Sequence, residues 1–332
     1  MTKNIYITNY EGPVSRSDSA QEIAEAFLPE GGKLFTLLKQ FDSYLGDIEK
    51  IKGHVYGNSL KYILPFLKAA NVTDKDVREF SNQHISVIKG TKEMLASIQE
   101  KMETYIVNTN YIHYMEEIAK YLGLGPADTY STQVFFDDYA MGEREHKMFT
   151  GLTNAFLQLP PISWNEAGVV PPDAQFSIDS LKAFLLERLS TLSVNQWLKG
   201  IHLMSGVAKS DAVLDIAKRG NVSLDNTIYV GDNITDVNAL SLVRDQGGLS
   251  ISYNGSRQAV VNAEYIVVSK DAGILKEMAL TFCQSGKKGI QEGTTREGAF
   301  VCSRVNCDID NVISFSENMR KELEERPIGN PE

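Results

Sequence analysis

Five short apolar runs punctuate the chain. Residues 5–8 (IYIT), 105–108 (YIVN), 227–230 (TIYV), 249–253 (LSISY) and 265–268 (YIVV) are rich in β-branched and aromatic side chains, and most run into Gly, Asn or Thr. Their apolar character is nearly continuous rather than alternating, which predicts strands covered on both faces, as in a parallel sheet. Helical spacing occupies 210–218 ahead of the third run, 236–242 after it and 257–262 between the last two. That alternation predicts an α/β fold with a doubly wound parallel sheet.

The first two runs lie far apart, and the interval is helical in pattern. Apolar residues recur at three-to-four spacing over 20–28, 33–45, 59–69, 74–87 and 91–101. Thr73 followed by Asp76 reads as a capping box. The interval is too long for a crossover, so a helical cap is predicted over 15–103. A second insertion, 111–201, reads as a helix at 112–122, a strand at 133–136, a charged stretch at 142–147, a loop with Pro160, Pro161, Pro171 and Pro172, and a helix at 180–192. The core is then 1–14, 104–110 and 202–285. Residues 286–332 read as a C-terminal extension, Gly-rich and charged, with a helix at 314–325 and a frayed end.

Composition narrows the function. The chain has 332 residues, 42% hydrophobic and 23% charged, which is ordinary for a globular protein. A net charge of -10 argues against binding along a nucleic-acid backbone, which needs surplus Lys and Arg, but allows a small phosphorylated ligand in a local site. Cys283, Cys302 and Cys307 form no CxxC, and the five histidines are scattered, so reduced thiols and structural histidines are expected. No run is long and apolar enough to span a bilayer and no signal pattern opens the chain, so a cytoplasmic location is expected.

The strongest local signal is TIYVGDNITDVNAL, where an apolar strand ends in Gly231 and Asp232, with Asp236 four residues on. Carboxylates at the carboxyl edge of a parallel sheet sit where such folds bind ligands, and two oxygen donors suit Mg²⁺. The plainer account is a helix cap and a solvated first-turn acid. GVAKSDAV sets Lys209 ahead of a helix, where an ammonium can neutralise a phosphoryl group or simply face solvent. TYIVNTNY sets Thr109 at the end of the second strand, where its hydroxyl can bond a phosphate oxygen or have no role beyond ending the strand. In NIYITNYEGPV the first strand ends in Asn9, with Glu11 two residues on and a Gly-Pro turn after it. Tyr10, Tyr111 and Tyr114 read as packing residues more than as walls of an entrance.

In this order and spacing the four segments resemble the four motifs of the haloacid dehalogenase-like superfamily. SISYNGSRQAVVNAEYIVV is similar to its late-core pattern, and the EGP sequence after the first strand resembles a little-characterised archaeal group with a DxEGP motif. The resemblance implies a Rossmann-like core with a cap and a Mg²⁺-dependent phosphomonoester phosphatase. In that chemistry a first-motif aspartate attacks phosphorus and an acid two residues later serves as acid and base. The resemblance gives Asn9 the nucleophile position and Glu11 the acid/base. Thr109, Asn110 and Lys209 would bind phosphate. Asp232, Asp236, Asn9 and the Glu11 carbonyl would hold the metal.

The departure is Asn9. A carboxamide is a very poor nucleophile, and losing a covalent nucleophile removes on the order of 10⁶ in kcat in another enzyme class. It also takes one negative charge from the metal site. Three accounts stand at this point: a natural binding or regulatory protein, a variant inactivated to trap a complex, or attack by another acid such as Glu11 or Asp232. In-line geometry disfavours the last. A purely structural role for the helical insertion has only its size behind it.

Overall fold

The structure is a computed structural model, and it describes residues 3–295 and 298–324. Eight strands form one sheet: β1 Ile5–Thr8, β2 Glu103–Tyr111, β3 Thr129–Thr132, β4 Thr227–Gly231, β5 Leu249–Tyr253, β6 Tyr265–Val268, β7 Gly293–Thr294 and β8 Phe300–Ser303. Their order is β3-β2-β1-β4-β5-β6-β8-β7, parallel from β3 to β6 and antiparallel at β8 and β7. The sheet is doubly wound, as the five apolar runs predict. Ile5 and Ile7 face Val213, Ile216 and Val243 of the helices Val207–Gly220 and Val237–Asp245. Tyr6 faces the opposite layer, with Leu95 of Thr91–Gln99 and Leu275 of Gly273–Ser285. Strand period two thus sends neighbouring side chains into two different cores.

The long interval after β1 is helical, and its details follow local chemistry. Thr73 accepts from the Asp76 amide at 3.2 Å while Asp76 accepts from the Thr73 amide at 2.9 Å, so the capping box forms. The single helix read at 59–69 is two, Ser59–Tyr62 and Leu64–Ala69, with Pro65 in the first turn of the second. The helix read at 74–87 stops at Gln83, where the His84 ring turns back to the Phe80 carbonyl at 2.9 Å.

The second insertion differs more. Its strand is Thr129–Thr132, not 133–136: that polar segment pairs with β2 as an edge strand, whereas Val134 and Phe136 are buried in the turn beyond it. Phe136 packs edge-on to Tyr111, and its amide donates to Asp74 at 2.6 Å. The charged stretch opens a helix, Glu143–Leu157, with Glu143 and Glu145 in the first turn, where acids suit the helix dipole. Pro172 is not loop but the start of the helix Pro172–Leu181, which continues through a π turn at Lys182–Glu187. Phe66 of the first inserted segment packs edge-on to Phe149 and at a tilt to Phe156 of the second, so the two share one core.

The segment read as an extension adds to the sheet. Ile266 pairs with Cys302 and Val267 with Val301. Ile309–Glu324 forms a helix that lays Val312 and Ile313 on Val260, Ile266 and Val268. The frayed end read from sequence, 325–332, lies outside the described residues. No described helix is long and apolar enough to cross a membrane.

Candidate active site

The carboxyl ends of β1, β2 and β4 deliver the chemistry. The Asn9 amide extends the sheet by donating to the Val230 carbonyl at 2.8 Å. Beyond it the chain turns sharply, with Ser15 N–H donating to Tyr10 O and Gly12 N–H to Ser15 O. Gly12 has φ +86°, and a Cβ there would lie 2.3 Å from Asp232 Cγ. The Gly-Pro turn therefore lets backbone press directly against the β4 carboxylate.

Asn9 is 1% exposed and fully engaged. Its Oδ1 accepts from Tyr10 N at 3.0 Å and Lys209 Nζ at 3.2 Å. Its Nδ2 faces Glu11 O at 2.9 Å, Asp232 Oδ1 at 2.9 Å and Asp236 Oδ2 at 3.3 Å. Two donors on one side and three acceptors on the other fix the orientation of the carboxamide.

Asp236 has all its capacity used within the protein. Oδ1 accepts from Lys209 Nζ and from Tyr229 Oη, each at 2.7 Å, and Oδ2 accepts from the Asp232 and Asn233 amides at 3.0 and 3.3 Å. Asp232 Oδ1 also accepts from Asn233 Nδ2 at 3.1 Å, and Oδ2 is paired with Arg320 Nη2 at 2.8 Å. Burial pushes the Asp232 carboxyl up to about 6; Arg320 opposes that and Asp236 adds to it.

Glu11 Oε1 accepts from Ser19 N at 2.9 Å, Ser19 Oγ at 2.8 Å and Asn110 Nδ2 at 2.8 Å. Burial pushes its carboxyl up to about 7, with Asp18 adding to the rise and Ser19 and Asn110 opposing it. At Asp18, burial also acts upward, but the Lys39 ammonium 2.7 Å away outweighs it and holds that carboxyl low.

A cavity of about 200 Å³ lies over these groups, lined by Asn9, Glu11 and Thr109 from the strand ends, by Arg16, Lys39 and Tyr56 from 15–103, and by Arg320. Two residues assigned to phosphate binding are turned elsewhere. The Asn110 carboxamide is committed to Glu11 and Ser19, because alternation along β2 sends it to the face away from Thr109. Lys209 is 0% exposed and sits beneath Asn9 rather than in the cavity wall. Sequence reasoning missed Arg16, Lys39, Tyr229 and Arg320. Of these, only Tyr229 had a local signal, as the polar tip inside the β4 run.

The resemblance asks whether a divalent cation fits this donor set. The atoms are the right kind, all oxygen, yet each already faces an N–H or, for Asp232 Oδ2, which accepts no hydrogen bond, an ion-paired guanidinium. Asn9 Nδ2 points at Glu11 O and Asp232 Oδ1, and a guanidinium holds the other Asp232 oxygen. The residues present do not fit the ion.

The strand order defines the class of fold: a doubly wound α/β sheet of haloacid dehalogenase-like form. More narrowly, the chain is similar along nearly its whole length to gene product AF1437 from Archaeoglobus fulgidus, with a TM-score of 0.82, 21% identity, and 97% of each chain covered. A substrate-bound phosphoserine phosphatase is more distantly similar, with a TM-score of 0.51 and 13% identity over 84% of this chain and 97% of that one. At these identities the likeness is one of fold. No protein-family model matches the sequence, and no curated protein matches it.

Proposed function

We propose that the cavity binds a small phosphorylated molecule and that the chain holds it without forming an aspartyl-phosphate. The observation that carries this reading is the commitment of Asn9: a neutral carboxamide, bonded on both sides, at the base of a cavity lined by Arg16, Lys39 and Arg320. Arg16 Nε is buried with no acceptor among the described residues, as suits a group awaiting an anion. Thr109 in the cavity wall adds a hydroxyl donor. Residues 15–103 act as the cap in this reading, with Phe35, Tyr56 and Leu60 meeting the part of the ligand that is not phosphate. Three unpaired cysteines fit a reducing compartment such as the cytoplasm.

One observation favours turnover. Glu11 is held near 7, where a carboxyl can both give and take a proton at neutral pH, so phosphomonoester hydrolysis is the second reading. Calorimetric titration with inorganic phosphate, beside an aryl phosphate hydrolysis assay, separates the two. The binding reading expects saturable phosphate heat, lost in Arg16→Gln, and no hydrolysis. Hydrolysis by the wild type at an ordinary enzymatic rate would replace it with the second.

A further inference from the structure

The misfit of the cation has a cause in the fold. Four charged groups meet at the end of β4, and they balance: Asp236 with Lys209 at 2.7 Å, and Asp232 with Arg320 at 2.8 Å. An aspartate at position 9 would leave one negative charge over, which a metal ion could share. The neutral Asn9 leaves none. Its Nδ2 instead supplies hydrogens to Glu11 O and Asp232 Oδ1, two of the oxygens a cation would take.

Arg320 does not reach this point by chance. It lies on Ile309–Glu324, one turn after Ser316, which is 0% exposed and donates to the Gly255 carbonyl at 2.8 Å. The next residue, Ser256, donates its amide to the Asp232 carbonyl at 2.7 Å, and Arg320 Nη1 reaches that same carbonyl at 3.4 Å. Arg257 ties the start of the helix through Asp310 at 3.0 Å, and its amide donates to the Glu317 carboxylate at 3.3 Å. The helix is thus docked on the loop that cradles Asp232, and its guanidinium is delivered to one carboxylate oxygen. A guanidinium keeps its charge at any working pH, so a divalent ion at Asp232 would sit against a fixed positive charge.

We propose that Arg320 and Asn9 together stand in for the metal ion of this fold, so that the site keeps its geometry and charge balance with no divalent cation bound. Restoring a carboxylate at position 9 is then insufficient for metal binding while Arg320 holds Asp232. The inference does not depend on the phosphate reading, since its test contains no phosphate.

The test is calorimetric titration of the full chain with MgCl₂ alone, paired with thermal unfolding in the presence and absence of Mg²⁺. Wild type is expected to give no saturable heat and no shift in Tm. Asn9→Asp/Arg320→Gln is expected to bind Mg²⁺ saturably and to gain Tm on its addition. Asn9→Asp alone should bind at least about tenfold more weakly than the double variant, because one unit charge at ion-pair distance is worth that much or more. Saturable Mg²⁺ binding by wild type overturns the proposal, and that arm stands whether or not the variants fold. Equal affinity in Asn9→Asp and the double variant overturns the part assigned to Arg320, as does a double variant that binds no better than wild type. Loss of phosphate binding with these metal results unchanged would remove the functional reading alone.

Discussion

Lys209 Nζ lies 2.7 Å from Asp236 Oδ1, and both side chains are wholly excluded from solvent. A buried ion pair adds little stability over an apolar pair of the same shape, but removing one partner strands the other charge. Here the pair also grips Asn9, since Lys209 donates to its Oδ1 and Asp236 accepts from its Nδ2. The pair therefore fixes the floor of the cavity rather than meeting the ligand.

Lys209→Met is accordingly expected to destabilise the protein by about 3–5 kcal/mol, read as a fall in the urea midpoint. A lysine that served only a ligand would leave the midpoint where it is.

Tyr229→Phe removes one hydroxyl and leaves the ring in place. Its Oη donates to Asp236 Oδ1 at 2.7 Å inside the core. The expected loss is about 1.5–3 kcal/mol, the range for a hydrogen bond to a charged group. Equal unfolding curves for the two proteins would mean that Lys209 alone satisfies that oxygen.

Gly12→Ala should damage the site as well as the fold. The residue has φ +86°, and its added methyl would lie 2.3 Å from Asp232 Cγ. Left-handed strain alone amounts to about 1–3 kcal/mol, and the displaced carboxylate adds to it. Both Tm and phosphate affinity are expected to fall; an unchanged Tm would show that the turn relaxes freely.

Stability should also depend on pH through Glu11. Its carboxyl moves from 4.5 to about 7 on folding, so between those values the folded protein binds the extra proton. Stability therefore falls as pH rises from about 4.5 to about 7 and the loss is complete above that window. Glu22, raised by burial to about 7, and Asp232, raised to about 6, act in the same sense. Glu11→Gln is expected to flatten the decline without abolishing it. Urea unfolding across this pH range, with a slope that ignores the substitution, would count against a buried, proton-binding Glu11.

How much of this was legible depended on how local its cause is. Residues 5–8, 249–253 and 265–268 form strands over the limits that their unbroken apolar runs predict. Thr129–Thr132 escaped because it is polar and an edge strand needs no apolar run, and Phe300–Ser303, between β6 and β7, escaped because it follows a Gly-rich stretch. Among the site residues, Asn9 and Asp232 are legible because each follows a strand directly, so chain geometry alone carries it to the sheet edge. Asn110 turns to Glu11 and Ser19, which the motif spacing does not encode, because strand end and strand face are separate questions. Arg320 had no local signature at all. Its role comes from the docking of Ser316 on Gly255, a tertiary contact that no spacing encodes.

The site joins the first strand of the sheet to the Ile309–Glu324 helix, so its history during synthesis is set by that order. A ribosome-bound chain that has emerged as far as β6 already owns Asn9, Glu11, Lys209, Asp232 and Asp236, and can pair all the parallel strands. It does not yet own the guanidinium. For that interval Asp232 lacks the Arg320 partner it has in the finished fold. On the proposal above, a chain without the docked helix offers divalent ions an Asp232 with no guanidinium against it, and docking of the helix is the event that closes the site.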